Sequence, residues 1–116
     1  MDLLQQIERL IKELDYSVKE LRKNGTALAE AERNYKVCLM QNALKLRSDE
    51  KMPVTLIGQV IYGVKEVAEL RFKRDVQEAI YNANQEAINS TKLKLRILEN
   101  QLNREWGNTK NEEFKK

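Results

Sequence analysis

The sequence predicts an all-α fold: a long antiparallel helical hairpin, coiled-coil-like, with a short helix at the turn, assembling with a second copy into a dimeric four-helix bundle. Three observations predict it. Apolar positions recur at alternating gaps of three and four through most of the first half of the chain. One Pro and four Gly punctuate 116 residues, too few turn signals for a sandwich or barrel. Hydrophobic residues make up 41% and charged residues 34%, a mix that suits long helices burying one stripe each. This length allows one domain, residues 1–106, and a polar tail over 107–116 that lacks an apolar pattern and reads as flexible.

The first helix is expected over about 2–49. Its seam reads Leu4, Ile7, Ile11, Leu14, Val18, Leu21, Gly25, Leu28, Glu32, Tyr35, Leu39, Asn42 and Leu46, a heptad pattern with departures at Gly25, Glu32 and Asn42. Asn24-Gly25-Thr26 is a candidate break, but the heptad phase passes through Gly25 unchanged, so one continuous helix with a weak point there is preferred. Pro53 ends the element, because it restrains Met52 and donates no backbone hydrogen bond.

A short helix over about 55–62 follows, with Thr55 as a capping residue, apolar residues at 56, 57, 60 and 61, and Gly63 at its end. The β-branched content of 54–62 admits a strand instead, but no second strand exists to pair with it. The third helix is expected over about 64–106. Its stripe runs through Val64, Val67, Ala68, Phe72, Val76, Ala79, Ile80, Ala83, Ala87 and Ile88 to Leu95, Leu98, Leu102 and Trp106. Members eleven apart, such as Val76, Ala87 and Leu98, imply a nearly straight helix.

Folded back antiparallel with Leu46 near Ala68, opposed residue numbers would add to about 114, so that Ala31 faces Ala83 and Ala27 faces Ala87. Ile7 and Ile11 would then lie beside Leu102 and Trp106. The packing positions expected from these stripes are Ile7, Ile11, Leu14, Val18, Leu21, Leu28, Ala83, Ala87, Leu95, Leu98, Leu102 and Trp106. Leu3, Leu10, Val37, Leu44, Ile80, Leu93 and Ile97 extend them sideways, which points to a homodimer, although a three-helix monomer folded at Gly25 would cover some of that surface.

The chemistry-bearing residues are few. With no His and one Cys, the chain lacks the usual general bases and zinc ligands, so no enzyme, metal or cofactor is expected. Cys38 on a helix flank reads as a small apolar residue. The pairs Glu30 and Glu32, or Glu66 and Glu69, lack the His that a di-iron bundle requires. Gly58 and Gly63 are isolated and build no phosphate loop. Tyr16, Tyr35, Phe72 and Tyr81 lie on or beside the stripes and read as core. Asn42 and Asn84 fall at seam positions, where they either fix register through a polar contact or face water.

The 21 Lys and Arg against 18 Asp and Glu give a net charge of +3 and a mildly basic surface. In the expected register, Lys19, Arg22 and Lys23 lie level with Lys92, Lys94 and Arg96. A second set gathers Lys45 and Arg47 with Arg71, Lys73 and Arg74 near the turn. Such belts would follow a phosphate backbone of DNA or RNA; the competing reading is an ordinary solvated face, since Glu20, Glu69, Asp75 and Glu78 are interspersed. The amino terminus is charged every few residues and is not read as a signal peptide; with no apolar span and an unpaired Cys, the reading is a cytoplasmic protein away from membranes.

Three stretches carry a resemblance: GTALAEAERNYK at 25–36, VTLIGQVIYG at 54–63 and VAELRFKRDVQEAIYNANQEAIN at 67–89. Through them the chain resembles small helical proteins encoded by phages and prophages of Gram-positive bacteria, often found among replication and recombination genes. The resemblance transfers no activity and no site residue. It implies a non-enzymatic accessory protein in the host cytoplasm, an oligomeric helical binding module acting on nucleic acid or on replication and recombination proteins. An inhibitor of a host defence system, anti-CRISPR-like and working by occlusion, and a virion scaffolding coiled coil are the alternatives.

Overall fold

The structure, a computed structural model, describes residues 2–114 and the side chains of residues 2–107. Helix α1 spans Leu3–Ser48, α2 spans Val54–Val60 and continues as a 3-10 turn over Ile61–Gly63, and α3 spans Lys65–Phe114. No strand occurs among the described residues. The all-α expectation with a short helix between two long ones therefore holds. Helix α3 runs past Trp106, where the sequence reading ends it, through Gly107 to Phe114.

Local sequence explains the ends. At the start of α1, Asp2 Oδ1 accepts from the Gln5 backbone N–H at 2.8 Å, and Gln5 Oε1 accepts from the Asp2 N–H at 3.3 Å, a reciprocal capping box. At its end the chain reverses through Lys51, which has a left-handed φ of 53°, and the Met52 N–H closes back on the Leu46 carbonyl at 3.1 Å. Helix α2 begins not at Thr55 but on Pro53, whose carbonyl accepts from both Leu56 and Ile57 N–H at 3.0 Å. Pro suits that place because it needs no donor there.

The chain divides into two units, one of Arg22–Asn82 and one of Met1–Leu21 with Ala83–Lys116. The 22–82 unit holds the main core: Tyr35 and Cys38 from α1, Ile57 and Ile61 from the short helical segment, and Val67 from α3 form one buried cluster, with Leu39, Ala43, Leu46, Met52, Val64 and Leu70 packed on it. The apolar face of α2 thus fills the space where α1 ends and α3 begins. Val67, with no accessible surface, is its innermost side chain.

In the other unit, Leu10, Ile88 and Leu95 are buried, and Ile7, Leu14, Leu98 and Leu102 are half-buried. The two helical segments of this pair run antiparallel, since Ser17 meets Asn84 while Leu10 lines a groove with Leu98. Asn84 Nδ2 donates to the Ser17 carbonyl at 3.1 Å, so the polar contact between helices is realised at this Asn. Asn42 instead donates to its own helix, to the Cys38 carbonyl at 2.9 Å and to Sγ at 3.3 Å.

Three expectations are corrected. On α1 the inward positions are Ile7, Leu14, Leu21, Leu28, Tyr35 and Asn42, as read, but their companions are Leu3, Leu10, Ser17, Asn24, Ala31 and Cys38. Of the other expected rail, Leu4, Ile11 and Val18, each one residue further along, are exposed, whereas Leu39 and Leu46 pack on the core as read. On α3 the inward positions are Val67, Leu70, Arg74, Gln77, Tyr81, Asn84, Ile88, Thr91, Leu95, Leu98 and Leu102, an unbroken heptad rather than an eleven-residue stripe. Phe72, Val76, Ala79, Ile80, Ala83, Ala87 and Trp106 are exposed, as is Tyr16. The register also differs. Gly25 meets Tyr81 rather than the neighbourhood of Asn89, Tyr35 meets Arg74 rather than Ala79, and Ser17 meets Asn84 rather than Ile97. Ala27 and Ala31 consequently line a groove with Val76 and Gln77, not with Ala87 and Ala83. The physical cause is α2: burying Ile57 and Ile61 beside Cys38 and Val67 requires the last turns of α1 to extend beyond the first turn of α3.

Gly25 lies inside the continuous α1, and no Gly adopts a positive φ. A Cβ there would stand 3.4 Å and 3.9 Å from Tyr81 ring atoms, ordinary contact distances. Gly25→Ala is therefore expected to stabilise the protein by up to about 1 kcal/mol, the helix-interior cost of Gly, read as a higher melting temperature. A lower one would mean that Tyr81 has no room to yield.

Candidate functional site

The basic residues were the chemical candidates, and the structure separates them. In the unit containing both chain ends, Lys94 lines a groove with Gln6, Arg9, Leu10, Glu13, Ile97 and Leu98. Lys94 thus stands beside Arg9 and Glu13, which are themselves paired at 3.5 Å, and not level with Lys19. Lys19, Lys92 and Arg96 are exposed in this unit, and Arg22 and Lys23 are exposed in the 22–82 unit. Within this unit the expected alignment of Lys19 with Lys94 is therefore corrected.

Of the second set, two arginines are held by aromatic rings. Arg74 sits at an inward position with its guanidinium 4.7 Å from the Tyr35 ring centre and 2.8 Å from Asp75 Oδ1. The hydrogen bonds it donates to Asp75 raise its pKa above the already high arginine value, so it stays cationic at every working pH. Arg71 lies 5.0 Å over the Tyr62 ring. Arg47 donates to the Met52 carbonyl at 3.4 Å, which ties it to the reversal after α1. These cations support the turn of the chain. Lys45 and Lys73 are exposed.

Cys38 is buried in the cluster with Tyr35 and Val67, where its sulfur packs among apolar side chains and accepts a hydrogen bond from Asn42 Nδ2 at 3.3 Å. Among the described residues no group of His, Cys, Asp or Glu could hold a metal ion, and no polar or charged side chain is buried. No helix is long and apolar enough to cross a membrane.

What remains is apolar surface. In the unit of 22–82, a groove is floored by Ala27 and Ala31 on α1 and walled by Leu70, Phe72 and Val76 on α3, with Glu30 and Asn34 on one side and Lys73 and Gln77 on the other. Phe72, at 69% exposed, also borders a shallow depression with Lys65, Ala68 and Glu69. Sequence reasoning missed this groove because it assigned Phe72 and Val76 to the core. The signal was present, since a heptad counted from Val67 through Ile88 and Leu95 puts Phe72, Val76 and Ile80 outside it. No protein-family model, curated protein or solved structure matches the chain.

Proposed function

We propose that this protein is a non-enzymatic accessory module, of the phage or prophage kind its sequence resembles, that works as a homodimer and presents helical faces to a protein partner. One observation carries the reading. Among the described residues, seventeen large apolar side chains are exposed against eight hydrophobic residues buried. They are not scattered singly, as surface apolar residues ordinarily are. Leu4, Ile11 and Val18 repeat every seven residues on α1, and Phe72, Val76 and Ile80 repeat every four on α3. Rows at helical spacing are the surfaces that other helices cover.

Nucleic acid is the weaker partner class, because Arg71 and Arg74 are occupied by rings and Lys94 stands beside a carboxylate. Light scattering over a range of concentrations is expected to give twice the 13.6 kDa chain mass. A monomer throughout would sink the reading. Salt titration against single-stranded and duplex DNA tests the partner class: weak affinity at physiological salt is expected. Tight, salt-steep binding lost on charge reversal at Arg22, Lys23, Lys92, Lys94 and Arg96 would reassign the module to nucleic acid.

A further inference from the structure

The groove in the 22–82 unit has two properties that together specify an occupant. It is asymmetric in size, with Ala27 and Ala31 on its α1 side and the exposed ring of Phe72 on its α3 side. It is also asymmetric in charge, with Glu30 on α1 and Lys73 on α3. Neither has an ion-pair partner among the described residues, where the pairs are Arg9 with Glu13, Lys36 with Glu32 and Arg74 with Asp75.

We propose that this groove is the self-association site, occupied by a second copy of the same chain, with Phe72 of each copy seated on Ala27 and Ala31 of the other and Lys73 of each paired with Glu30 of the other. The proposal rests on the dimer reading above and names its surface. A two-fold interface demands that if one residue touches another, the reverse contact also forms. A bulky ring beside a small-residue floor, and a base opposite an acid, meet that demand in one stroke.

The sequence order agrees. Phe72 and Lys73 are neighbours on α3, and Ala31 and Glu30 are neighbours on α1, so one antiparallel placement of α3 along the partner's α1 makes both contacts. The charge balance also selects this occupant. A site with one acid and one base is neutral, so two copies approach without repulsion, whereas a partner of uniform charge would leave one of the two groups unpaired and desolvated. Val76 borders the same groove and extends the apolar contact beyond the ring.

The test is sedimentation velocity of the full chain and its variants. Phe72→Glu is expected to weaken the dimer at least about thirtyfold, as loss of a central aromatic anchor does. Phe72 is mostly exposed, so the variant keeps its helical circular dichroism. Glu30→Lys and Lys73→Glu each weaken the dimer, and the double variant, which restores the opposite pairing, recovers it. A wild-type dimer indifferent to Phe72→Glu, or single charge reversals that the double variant fails to rescue, would overturn this surface and leave the dimer reading standing. A wild type that stays monomeric overturns both.

Discussion

Ile61→Ala is expected to destabilise the 22–82 unit by about 2–5 kcal/mol, the range for truncating a large buried aliphatic side chain. Ile61 is 4% exposed and packs in the cluster of Tyr35, Cys38, Ile57 and Val67. The cost goes beyond a cavity. Helix α2 has seven residues, too few to persist on its own helical propensity, and Ile57 and Ile61 are the buried residues that anchor it and the 3-10 turn. Removing one anchor loosens the segment that closes the core between Leu46 and Val64. Urea unfolding followed by circular dichroism should show a lower midpoint with an unchanged slope. A loss below about 0.5 kcal/mol, the scale of an ordinary surface substitution, would show that α2 contributes little to holding the turn.

The same short helix explains what was legible in the sequence and what was not. Periodicity alone places α1, because Ile7, Leu14, Leu21, Leu28 and Tyr35 recur every seven residues and turn inward. It cannot choose the second rail. Leu4, Ile11 and Val18 are as apolar as the rail that is buried, and the choice falls to Leu10, Ser17, Asn24, Ala31 and Cys38, four of which are smaller or more polar. Small residues let Asn84 reach the Ser17 backbone, a contact between positions far apart in sequence that no local pattern encodes. On α3 the inward row includes Arg74, Gln77 and Asn84, so a search for apolar residues follows Phe72, Val76 and Ile80 out to the surface instead. Arg74 occupies its inward place because Tyr35 and Asp75 both receive its guanidinium. Register was hidden for a related reason: it depends on how far α1 must extend to cover Ile57 and Ile61, which is a packing distance rather than a spacing. The candidate groove inherits both errors, since its residues were read as core and its walls were assigned other partners.

Leu95→Ala is expected to act on the other unit alone, and locally. Leu95 is 8% exposed, and among the described residues of that unit it is buried together with Leu10 and Ile88, none of which belongs to the cluster around Val67. Truncation of a buried Leu costs at least about 2 kcal/mol, so protection factors of the affected amides should fall by about thirtyfold or more. A helix pair without a connection packed across it opens more readily than one closed by a buried turn, because each segment keeps only its own stripe of contacts. Hydrogen exchange read residue by residue should therefore quicken over Leu3–Leu21 and Ala83–Gly107, while amides near Tyr35, Cys38, Ile57 and Val67 exchange as before. The complementary variant, Ile61→Ala, should quicken exchange in the 22–82 unit. Equal acceleration everywhere in both variants would mean that the chain opens as a single cooperative body, and the division at Leu21 and Asn82 would then carry no energetic meaning.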